Sequence, residues 1–100
     1  MDVLFHRLAS QEYLKALRWY ARRSPRITQA FRDAVDQTVQ RIATVPDQGS
    51  SFRTRFRWFR VPRFPYLLYY VPINSTQIVV MALAHARRRP GYWIRRRPGA

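Results

Sequence analysis

The spacing of apolar side chains changes along the chain and divides it into a strand, two helices and three further strands. Val3 to His6 is a short apolar stretch just ahead of a helical pattern and reads as a first strand. Ala9, Tyr13, Ala16, Leu17, Tyr20 and Ala21 then fall on one face of a helix. Glu12 in its first turn and Arg18, Arg22 and Arg23 in its last complement the helix dipole. Ser24-Pro25 is the clearest punctuation: serine caps a helix and proline suits its first position, so a second helix starts here. Its apolar face is Phe31, Ala34, Val35, Val39, Ile42 and Ala43, and the stretch from Pro46 to Gly49 ends it. So short a connection between the two helices predicts an antiparallel hairpin.

From Phe52 the period becomes two. Arg53, Arg55 and Arg57 alternate with Phe52, Thr54 and Phe56, which predicts a strand with the three arginines on one face. The phase then slips, because Phe59 and Val61 are apolar while Arg60 is not, and a bulge or twist near Trp58 would reconcile the two registers. Pro62 to Pro65 makes a turn. Tyr66 to Val71 is continuously apolar and aromatic, as a central strand covered on both faces would be, and its three tyrosines belong in the core. After a turn at Pro72 to Ser75, Gln77 to Ala84 is a further strand. The order predicts an α+β fold in one domain over residues 1–100, with a helical hairpin on one face of a mostly antiparallel four-stranded sheet and a flexible basic tail over about 94–100.

Charge sharpens the picture. The net charge is +14, and all but one of the 19 basic side chains are arginine, Lys15 being the exception. The stretch up to Ser51 holds eight basic and five acidic residues, whereas from Phe52 onward there are eleven arginines and no acid. Solubility alone would intersperse the signs, so a single-sign half points to nucleic acid, the ribosome or an acidic partner. With no cysteine, two histidines and only scattered acids there is no disulfide framework and no metal-ligand cluster, and no glycine-rich phosphate loop is present, so neither metal nor cofactor is expected. No basic region followed by an apolar run stands at the N-terminus, and no stretch approaches the roughly 18 apolar residues of a membrane span, so the expected compartment is the cytoplasm, with no membrane contact.

Several pieces together resemble the RelE/ParE superfamily of toxins. Arg60-Val61-Pro62-Arg63-Phe64-Pro65-Tyr66-Leu67-Leu68-Tyr69-Tyr70 looks like that family's second-to-third strand hairpin. Ile78 to His85 looks like its last strand, and Arg87-Arg88-Arg89-Pro90-Gly91-Tyr92-Trp93 is similar to the segment that follows it. The stretch from Tyr20 through Ser24-Pro25 to Phe31 matches the helical hairpin. The resemblance implies a toxin of a type II toxin–antitoxin system, held in a hetero-oligomer by a cognate antitoxin that is acidic where it meets this surface. It implies one of two targets: RelE-like members cut mRNA in the ribosomal A site, whereas ParE-like members poison DNA gyrase without chemistry of their own.

RNA cleavage through a 2′-hydroxyl requires removal of a proton, positive charge on the phosphate and protonation of the leaving oxygen. The resemblance points to basic residues and a tyrosine for these tasks. Arg60 or Arg63 would clamp the scissile phosphate, Arg87 would stabilise the pentacoordinate charge, and Tyr92 would orient or exchange a proton. The lysine pair of RelE is absent, with Arg53, Arg55 and Arg57 in that region, and arginine cannot serve as a base at neutral pH. His85, at the end of the last strand, either supplies the missing base or is simply bonded to backbone. Arg88 and Arg89 extend the basic run toward a target or an antitoxin. Trp93 either stacks on bases or caps the core against the helices. Arg53, Arg55 and Arg57 either track a phosphate backbone or blunt an edge strand.

Overall fold

The computed structural model describes residues 1–99 of the protein; Ala100, the last residue of the expected tail, lies outside them. Strand β1 (Asp2–Phe5) leads into α1 (Arg7–Ala21), and α2 (Pro25–Thr44) follows with Ser24 as its cap: the Ser24 hydroxyl accepts the Ile27 N–H at 3.2 Å. A single 3₁₀ turn, Pro46–Gln48, joins α2 to β2 (Ser50–Phe52), β3 (Phe56–Arg60), β4 (Tyr66–Pro72) and β5 (Gln77–His85). The sheet order is β1-β5-β4-β3-β2, with β1 parallel to β5 and every other pair antiparallel. Among the described residues no helix is long and apolar enough to cross a membrane.

The fold is α+β as expected, but the sheet has five strands rather than four. The extra strand is Ser50–Phe52, and the residues between it and β3 form a tight turn that brings Phe52 opposite Phe56. The slip of phase arises within β3, because both of its faces are covered: Phe56 and Trp58 face one core and Phe59 the other. The expected bulge near Trp58 is absent: β3 pairs with β4 without interruption from Arg57 opposite Tyr70 to Arg60 opposite Leu67. Arg53 and Arg55 therefore sit in a turn, and only Arg57 of the three lies in a strand. The sheet's irregularity lies in β5 instead. Tyr70 faces Val80 and Tyr69 faces Ala82, which leaves Met81 as the extra residue.

Two cores flank the sheet. Ala9, Leu17, Phe31, Val35 and Ile42 of the helices pack on Phe59, Leu68, Tyr70, Ile78, Val80 and Leu83. On the other face Phe56, Tyr69, Val71, Val79 and Met81 are covered by Trp93, which is 1% exposed, with Tyr92 and Ile94 beside it. This second cover explains why β4 and β5 read as unbroken apolar runs. Of the three tyrosines of β4, Tyr69 and Tyr70 are buried and Tyr66 half-buried. The Tyr70 hydroxyl donates to the Pro46 carbonyl across the face of Gly49, where a Cβ would fall 2.1 Å from the Tyr70 oxygen. Only glycine fits there.

Candidate functional site

The chain leaves β5 at His85 and turns back over the outer face of the sheet. His85 Nδ1 accepts the Arg87 N–H at 3.1 Å, and the imidazole packs edge-on against Tyr66. Gly91 has φ +83°, which lets the backbone reverse toward Trp93. β1 covers β5 only as far as Val80, so Leu83 N–H and Met81 C=O have no strand partner on that edge. Side chains take its place. Glu12, in the second turn of α1 rather than the first, accepts the Leu83 N–H at 3.1 Å, while Arg96 donates to the Met81 carbonyl at 2.9 Å. Glu12 and Arg96 meet through two bonds of 2.9 Å, and Glu12 also accepts the Tyr92 hydroxyl. Arg88 stacks 3.6 Å over the Tyr92 ring and approaches Glu12 at 3.9 Å. Residues 94–97 are thus anchored through Arg96 and Ile94, not a free tail. Burial, then the hydrogen bond to Glu12 and its negative charge, push the Tyr92 hydroxyl far above its ordinary pKa; Arg88 and Arg96 only partly oppose them.

Two hollows lie on either side of this knot. The first, of roughly 380 Å³, is walled by Trp19, Tyr20, Tyr66 and Leu83 and rimmed by Lys15 and Arg88, with Glu12 and His85 at its polar end. Trp19 is about half exposed, with the Arg23 guanidinium 3.5 Å over its ring. The second, of roughly 390 Å³, is lined by Arg53, Arg89 and Arg95 together with Pro90, Gly91, Tyr92 and Ile94. It contains no acid. Among the described residues the ion pairs are those of Glu12 with Arg88 and Arg96, so these three guanidinium groups have no acidic partner. Arg53 sits in the left-handed region at φ 56°, as does Arg63 at φ 68°. Each costs about 1 kcal/mol or more for a residue other than glycine, asparagine or aspartate.

The family of ParE toxins of type II toxin–antitoxin systems (parDE) matches residues 3–90 of the sequence. The chain belongs to the ParE toxin family. The fold of this ParE-family chain is similar to that of a protein from the chromosomal ParDE toxin–antitoxin system of P. aeruginosa, with a TM-score of 0.72 at 15% identity, over 87% of this chain and 97% of that one. No curated protein gives a significant match.

Within this ParE-family fold the residues singled out from the sequence separate. Arg60 lies opposite Leu67 and so in the row that continues to Ala84, whereas His85 lies opposite Tyr66; the two rows face opposite sides of the sheet. His85 borders the first hollow and Tyr92 the second, and Arg60, Arg63 and Arg87 line neither. The expected convergence of Arg60, Arg63, His85, Arg87 and Tyr92 on one concavity is therefore not found. Arg53, Arg55 and Arg57 do not form a common strand face. Arg57 donates to the Gly49 carbonyl at 2.7 Å and reaches Ser51 Oγ at 3.4 Å, which ties β2 down. Trp93 is sealed in the outer core and is not available to stack on a base; it caps the sheet face opposite the helices, not the helical side. Arg88 and Arg89 are exposed, the first bound up with Tyr92 and the second facing Arg53 and Arg95 across the hollow. The pairing of Glu12 with Arg96 escaped the sequence reading. Their only local signal was an acid on the buried side of a helix in a chain with five acids.

Proposed function

We propose that the protein is a type II toxin that acts by binding its target rather than by cutting RNA, and that the target is DNA gyrase. One observation carries this reading: Arg60 and His85 lie in rows on opposite sides of the sheet, and the Tyr92 hydroxyl is committed as a donor to Glu12. A phenol held protonated in this way is a poor proton acceptor near neutral pH. Membership of the ParE family favours the same side. The partner is a cognate antitoxin, in a cytoplasmic hetero-oligomer. The apolar first hollow, rimmed by Lys15 and Arg88, suits an amphipathic acidic segment of that antitoxin.

The deciding experiment adds the purified protein to gyrase with relaxed plasmid and, separately, to translating ribosomes. Loss of supercoiling with accumulation of cleaved DNA, while ribosome-bound mRNA stays intact, is the expected result. Codon-specific cuts with unimpaired supercoiling would overturn it.

A further inference from the structure

The second hollow is built from three separate segments. Arg53 comes from the β2–β3 turn, Arg89 from the turn after β5, and Arg95 from the returning segment. All three side chains are exposed, and among the described residues no carboxylate pairs with them. Three guanidinium groups around one concavity repel each other unless an anion sits between them. Two features show that the arrangement is held in place. Arg53 keeps a left-handed backbone that asparagine or glycine would adopt without strain, and its Nη2 rests 3.2 Å from where a Cβ on Gly91 would stand. Gly91, itself buried with positive φ, provides the floor on which that guanidinium lies. Strain retained at an exposed position points to a use for the side chain.

The chemistry of the walls narrows the ligand. Arginine forks match phosphate oxygens in pairs. Apart from Pro90, Ile94 and Tyr92 the lining offers little apolar surface to seat the side-chain anchors of a peptide, in contrast to the hollow beside Trp19. An unpaired strand needs exposed aromatic rings for its bases. Here Trp93 is buried and the Tyr92 ring is covered by Arg88. We propose that Arg53, Arg89 and Arg95 form a clamp for the phosphodiester backbone of a nucleic-acid duplex, independent of sequence. The clamp goes beyond the gyrase reading and does not require it: it gives the toxin its own grip on DNA.

The test is fluorescence anisotropy of the full-length protein with a short random-sequence DNA duplex over a salt series. The variant R53N/R89Q/R95Q is compared with the charge-matched control R22Q/R26Q/R32Q, whose arginines lie exposed on the helical side. The clamp variant should lose at least tenfold in affinity at moderate salt, and its log–log salt slope should be shallower by about 2.7, from about 0.9 per phosphate contact. The control should change little. Asn at position 53 suits the left-handed backbone, and the single variant R95Q, which should lose about eightfold, serves if the triple variant is unstable. Equal losses in the clamp and control variants would overturn the proposal, as would none in either. So would polyglutamate or single-stranded DNA binding as tightly as duplex, or inorganic phosphate displacing the duplex at equal phosphate concentration. Because gyrase is absent from this assay, its outcome is separate from that of the supercoiling experiment.

Discussion

Replacing Glu12 by Gln tests whether one carboxylate fastens the returning segment to the rest of the fold. Glu12 accepts from Leu83 N–H, from the Tyr92 hydroxyl and twice from Arg96. The Glu12 and Arg96 side chains are only 16% and 14% exposed, so solvent screens the pair weakly. Removing the charge leaves the Arg96 guanidinium enclosed with the Met81 carbonyl as its remaining strong acceptor. Breaking an enclosed pair on one side costs about 3 to 5 kcal/mol, and the amide recovers part of this, so a net loss of roughly 3 kcal/mol is expected. For a chain of this size that lowers Tm by roughly 12 °C or more. The assay is thermal and urea unfolding followed by circular dichroism, with hydrogen exchange at the Leu83 amide and across residues 88–97 as the local readout. In a double-mutant cycle, E12Q/R96Q should be more stable than the sum of the single losses predicts, by roughly 2 kcal/mol, because neither partner is then left charged and alone. A Tm within about 3 °C of the parent, or strictly additive losses, would refute the reasoning.

Two further outcomes follow from buried groups. Trp93 covers the outer core but its indole N–H, buried, has no hydrogen-bond partner; W93A should therefore cost roughly 3 to 5 kcal/mol and W93F less than half of that in denaturant unfolding, since phenylalanine also removes the unpaired donor. His6 is 4% exposed and caps α1 through Nδ1, which accepts the Leu8 N–H at 3.0 Å. Burial first, then the charges of Arg96 and Arg7, lower its pKa below 6.5, against a smaller upward pull from Glu12 and a backbone bond at Arg97. The unfolded chain then takes up the proton first, so stability should be full above about pH 6.5 and decline as pH falls from there through the lower folded value. Urea midpoints measured across that window should show the decline for the parent and a flatter profile for H6Q.

Much of the architecture was legible because local signals agreed with the tertiary structure. Ser24-Pro25 marks a helix start wherever it is placed, and a run as apolar as Tyr66 to Val71 has to be covered on both sides. What escaped was non-local or too short to carry a period. Ser50–Phe52 is three residues long with two serines, so no alternation announces it. The alternating arginines that follow imitate a strand, although two of them sit in a turn. The extra residue at Met81 is silent because its neighbours are all apolar. The site suffered most from this limit. The arginines of the basic half were visible as a class, but which of them meet depends on a β2–β3 turn and on a returning segment pinned by Glu12 from more than 70 residues away.

The parallel pairing of β1 with β5 has a consequence for how the protein comes into being. Asp2 is aligned with Gln77 and Phe5 with Val80, so β1 is completed by a strand made more than 70 residues later. During synthesis the helical hairpin can form early, since its contacts are close in sequence, but β1 waits unpaired until β5 has been translated. The knot at Glu12 waits longer still, for Tyr92 and Arg96. A nascent chain therefore has no finished sheet, and no finished surface for its target, until Tyr92 and Arg96 have been added. In a toxin this timing keeps the target-binding surface from forming while the strands and the returning segment are still being made, and leaves a waiting antitoxin only the completed fold to meet.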